Sequence, residues 1–150
     1  MKTRSFFAAA LVAAGLTAQP AVAADEEHIC GFYGSIAYVV AEYMLPLRLQ
    51  DVVNMMTGKD PSISAGLATS MLNAASANQV LAIAQLKAED AELFGEAAGS
   101  TSFQLLLSGQ ASSPQELQQI LQGHCLNVGY QTIIDNQRRA NAAGAANTPQ

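Results

Sequence analysis

Residues 61–86 read PSISAGLATSMLNAASANQVLAIAQL and carry no charged side chain. The stretch is built from Ala, Leu, Ile, Val, Met and small polar residues. Neutral segments of this kind are normally wrapped by other elements, because burial of apolar surface is the main force that holds them. It therefore reads as the centre of a small helical domain, as one interrupted helix or two short ones. Asn73 and Asn78 put the interruption near residues 76–78. Before it, Ile63, Leu67, Met71 and Leu72 keep helical spacing, and the small residues Ala65, Gly66, Ala68 and Ala75 leave room for a neighbouring helix. After it, a helix is expected over residues 79–94. Val80, Ile83, Leu86 and Leu93 would point inward, and Lys87, Glu89, Asp90, Glu92 and Glu96 outward.

Towards the N-terminus, Asp60 and Pro61 form a helix start, with an N-cap followed by proline at the first helical position. Gly58 suits a C-terminal cap for a short helix over 48–56, whose apolar face is Leu49, Val52, Val53 and Met56. Residues 29–45 form the next helix outward. Ile29, Phe32, Tyr33, Ile36, Val40 and Tyr43 recur at spacings of three and four, and Pro46 ends the run.

Towards the C-terminus, Gly95 and Gly99 loosen the end of the second helix, and residues 99–101 read as a loop. Residues 103–107 read as one or two helical turns, and 109–112 as another loop. Ser113-Pro114-Gln115-Glu116 is the clearest helix start in the chain: N-cap serine, proline at the first position and a capping-box glutamate. The last helix then runs from Pro114 to about Gln137, with Leu117, Ile120, Leu121, His124, Val128 and Ile133 able to face the core. Residues 141–150 are small and polar and read as a disordered tail. No period-two alternation with hairpin turns occurs. The fold class is an all-α bundle of five or six helices.

The first residues read as an export signal. Lys2 and Arg4 form a basic start, residues 6–16 an apolar run, and Ala21-Val22-Ala23 a small-x-small cleavage pattern. Cleavage is expected after Ala23, giving a signal peptide over 1–23, a helical domain over 24–140 and the tail. The apolar run is shorter than the roughly 20 residues a membrane span needs. Cys30 follows Glu27-His28-Ile29, which does not resemble a lipoprotein signal. Without Lys2 and Arg4, five basic residues face twelve acidic ones, a net charge near −7. Nucleic-acid binding, which needs clustered Lys and Arg, is not expected. A basic partner surface suits the charge better.

Cys30 and Cys125 are the sole cysteines, and in an exported chain they imply one long-range disulfide. His28 and His124 lie beside them, which raises a Cys2His2 metal site. However, helical neighbours one and two apart point about 100° and 200° away from each other, so neither pair converges. No cofactor or metal is expected. The cysteines do not form the Cys-x-x-Cys pattern of a redox pair.

Glu89, Glu92 and Glu96 share one helical face, with Asp90 beside them. They lack the glycine and oxygen spacing of a calcium loop. This face is either solvated or a partner-binding patch. Tyr38 lies off the main apolar face of its helix and is the second candidate contact. Met44, Met55, Met56 and Met71 form no tight cluster and read as core filling. Neither Gly-x-Ser-x-Gly nor His-Glu-x-x-His occurs, and no catalytic residue is assigned. The expectation is a periplasmic or secreted, non-enzymatic protein-binding module of the inhibitor, immunity or adaptor kind. An acid-stress chaperone and a membrane-active helical protein are the alternatives.

Overall fold

The computed structural model describes residues 5–59, 69, 70 and 73–146, with side chains described from residue 25 onward except those of residues 49, 55 and 56. Every element among these residues is a helix. Those with both ends described are α1 (Ser5–Met44), α2 (Leu49–Met56), α3 (Ala77–Ala84), α4 (Ala88–Leu107), α5 (Pro114–Val128) and α6 (Tyr130–Ala146), and residues 69, 70, 73 and 74 are helical as well. The Asp60-Pro61 helix start and the first part of the neutral stretch, residues 61–68, 71 and 72, lie outside the described residues.

The bundle is organised around α1, and this corrects the sequence expectation. Ile29, Cys30, Tyr33, Ile36, Ala37, Val39, Val40 and Ala41 are all buried. A helix that is apolar nearly all round goes to the middle. The described part of the 61–86 stretch lies at the edge. In α3 only Ala82 is buried, and Val80, expected inward, is exposed along with Leu81. Residues 29–41 are as free of charge as residues 61–86, and far richer in large side chains. Their bulk as well as their neutrality favours burial.

Around α1 pack α5, α4 and α3, with α6 against α4. The core joins Tyr33 and Cys30 to Phe94, Ala97 and Ala98 of α4, to Leu117, Leu121 and Cys125 of α5, and to Ile133 and Ile134 of α6. The rings of Tyr33 and Phe94 lie 4.7 Å apart and tilted, a favourable aromatic geometry.

The helix ends follow local chemistry. Pro46 has no N–H and restricts Leu45, so α1 stops at Met44. Gly58 takes φ +68°, and the Lys59 N–H donates to Asn54 O at 2.9 Å, closing α2 in a Schellman-type cap as expected. Ser76 caps α3. Its hydroxyl accepts from the Gln79 N–H while the Gln79 side chain accepts from the Ser76 N–H, a full capping box at the expected interruption.

Several boundaries differ from expectation. The first helix, expected over residues 29–45, begins at Ser5 and runs through the apolar start without a break. The helix expected over 79–94 is divided at residues 85–87, where Leu86 turns onto the core. No glycine or proline marks that break; Glu89 and Asp90 in the first turn of α4 are its sole signal. The loop expected at 99–101 does not occur, because α4 runs unbroken through Gly95 and Gly99. Leu93, Phe94, Ala97, Ala98 and Ser102 are buried on its inner face, and that packing outweighs a glycine cost of about 1 kcal/mol each. The last helix divides at Gly129, whose φ of +84° only glycine adopts without strain. Its N–H still donates to Cys125 O at 2.8 Å. Beyond it, α6 passes the expected end near Gln137 and continues to Ala146, exposed along its last turns.

Candidate interaction surfaces

Cys30 and Cys125 are bonded, with Cα atoms 5.4 Å apart across 95 residues of sequence, and both are fully buried. The bridge joins α1 to α5. His124, expected to face the core, is exposed, and His28 is half-buried. No group of three or more His, Cys, Asp or Glu side chains that could hold a metal ion occurs among the described residues.

The acidic face of α4 is real but largely engaged by α6. Arg138 pairs with Asp90, lies 3.8 Å from Glu89 and donates to Asp135 at 2.8 Å on its own helix. Asn141 Nδ2 donates to Glu96 Oε2 at 2.8 Å. Glu92 stays exposed. Part of the charge expected to await a partner is thus used to dock the protein's own last helix.

Tyr38 stands apart from this face. It is half-buried on α1, where it lines a shallow cavity of about 340 Å3 with Ser35, Ala74 and Gln118. Its hydroxyl donates to the Glu42 carboxylate. That bond and the Glu42 charge raise its pKa above the usual tyrosine value. The carboxylates of α4 and Tyr38 are therefore separate features.

Beside Tyr38, α3 is fixed to α1 by a small polar cluster. Ser35 Oγ lies 3.0 Å from Gly31 O and 3.3 Å from Gln79 Oε1. A Cβ on Gly31 would stand 2.9 Å from Gln79 Nε2, so the absence of a side chain at Gly31 is what admits the Gln79 amide.

A feature the sequence reading missed lies where α1, α2 and the end of α4 meet. Met44, Leu45, Leu47, Val52, Phe103 and Leu107 line a groove of about 240 Å3 that is mostly apolar. Leu107 is 65% exposed and Leu45 47%. Isolated exposed leucines are ordinary, whereas a grouped set beside a groove is the usual form of an interaction site. The signal was present in Leu105-Leu106-Leu107: three consecutive leucines on a helix cannot all face one core. Glu89 and Leu107 are separated by about 27 Å of helix rise, which puts carboxylates at one end of α4 and the groove at the other.

Compared with protein-family models, with curated proteins and with solved structures, the chain matches none. No helix among the described residues is long and apolar enough to cross a membrane.

Proposed function

We propose that the protein is an exported binding module, of the inhibitor, immunity or adaptor kind, that holds an apolar anchor of another periplasmic or secreted protein in the groove between α1, α2 and α4. The observation that carries this reading is the exposure of Leu107 and Leu45 beside that groove. Buried apolar anchors at the centre of a contact supply most of the binding energy in protein complexes. The acidic surplus supports the same reading, since it favours approach of a partner with a basic surface. A signal-like N-terminus and a buried disulfide suit an oxidising compartment.

The test is capture from periplasmic and culture-supernatant extracts on the immobilised oxidised protein, at neutral pH and at about pH 3, below most carboxylate pKa values. One saturable, stoichiometric partner at neutral pH, lost with Leu107→Glu, is expected. Many partners held only at the lower pH would replace this reading with a chaperone. A partner that Leu107→Glu leaves untouched would remove the groove from the interface.

A further inference from the structure

The last buried side chains of α6 are Ile133 and Ile134, and residues 138–146 are exposed at every position. Polar contacts tie this part of the helix to α4: Arg138 to Asp90 and Glu89, and Asn141 to Glu96. The Arg138 and Glu89 side chains keep 44% and 76% of their surface open to solvent. Beneath the segment is a cleft of about 240 Å3. Tyr33, Thr101 and His124 line it on the bundle side; Asn136, Gln137 and Ala140 line it from α6.

We propose that residues 136–146 form a strap, latched onto α4 through Arg138 and detaching beyond Ile134 while the rest of the bundle stays folded, which opens the cleft over Tyr33, Thr101 and His124. A helical segment this short is marginal in water on its own, so its order depends on what holds it. Exposed ion pairs are weak one by one and are screened by salt. Arg138 gathers three carboxylates, on two helices, at one point. The latch is therefore strong enough to order the segment and weak enough to release it. Ile133, Ile134 and the disulfide keep the remainder closed.

The test is residue-resolved amide hydrogen exchange on the oxidised protein, at low salt and at about 0.5 M salt, with Arg138→Gln as the variant. Exchange at residues 137–146 should rise about fivefold on Arg138→Gln, the factor that corresponds to roughly 1 kcal/mol. Salt should raise it in the native protein and have little effect in the variant. Amides of α1 and α5 should not change. Exchange at 137–146 that ignores both Arg138 and salt would mean an end that frays without a latch, or one bound as firmly as the core. Equal acceleration throughout the bundle would mean that Arg138 supports the whole fold. Each of these results overturns the proposal.

Discussion

A Cβ built on Gly34 would lie 3.1 Å from the carbonyl oxygen of Gln118 and 3.0 Å from Cβ of Gln122. Helices α1 and α5 thus cross in backbone contact at Gly34, one turn from the Cys30–Cys125 bridge. The most extensive helix contact of the bundle is built on that missing side chain.

Gly34→Ala should therefore destabilise the protein by about 1–3 kcal/mol, the usual cost of overpacking a close contact, and Gly34→Val by more. The opposite sign is expected at Gly123, also on α5, where an added Cβ meets nothing within 4 Å. Gly123→Ala should stabilise by about 0.5–1 kcal/mol through helix propensity. Urea midpoints of the two alanine variants, moving in opposite directions, check both statements.

Reduction of the disulfide should remove a large share of the stability. Opening a loop of 95 residues costs about 4–5 kcal/mol in the chain-entropy model, against about 5–15 kcal/mol for a whole domain. The Cys30→Ala, Cys125→Ala double variant should unfold at markedly lower urea concentration than the oxidised protein. An unchanged midpoint would show that packing across the Gly34 crossing suffices.

Glu116 links the last loop to α5 and should leave a trace in the pH dependence of stability. Its carboxylate accepts from the Ser112 N–H at 2.9 Å and from Ser112 Oγ at 3.0 Å. These bonds, the backbone one foremost, lower its pKa below the usual glutamate value. A folded-state pKa below the unfolded one stabilises above the unfolded value, and the contribution disappears as pH falls through the folded value. Glu116→Gln should lower the melting temperature at neutral pH, with the gap to the native protein closing as the pH falls below the glutamate range. Melting curves from neutral to acidic pH check this.

Tyr33 gives the alkaline counterpart. Burial raises its pKa, with a hydrogen bond from Thr101 acting in the other direction. Its contribution is complete below the unfolded tyrosine value and is lost as pH rises through the folded one. In an ultraviolet titration of tyrosinate, Tyr33 should ionise late and together with unfolding, whereas Tyr38, raised by Glu42, should ionise late without it. Tyr33→Phe should abolish the step that is linked to unfolding.

Leu107 tests the groove apart from the fold. Its side chain is mostly in water, so Leu107→Glu should change stability by no more than about 0.5 kcal/mol. A large loss would mean that the leucine is needed by the bundle itself.

Local chemistry was readable wherever one residue type has one use. Ser113-Pro114 starts α5, with the Ser113 hydroxyl accepting from the Glu116 N–H. The expected capping box is only half present there: the Glu116 carboxylate reaches Ser112, one residue outside the cap. The break at Ser76, the cap at Gly58 and the stop at Pro46 were equally legible. The candidate surfaces were less so. Glu89 and Glu96 could be put on one face, yet nothing in their spacing reveals that Arg138 and Asn141, some 45 to 49 positions later, fold back onto them.

By itself, the sequence determined the helical class, most caps and the disulfide pairing, because proline, glycine, capping serines and a lone pair of cysteines act through local geometry or have no other partner. Only the tertiary structure decided which helix lies at the centre, that α4 runs through two glycines, that Gly34 is a crossing point and that the leucines at the end of α4 are left in a groove. Those outcomes depend on competition among distant apolar faces for one small core. Residues 29–41 are apolar nearly all round and bury more surface there than α3, which has only Ala82 buried and leaves Val80 and Leu81 exposed, so α1 takes the centre and α3 the edge.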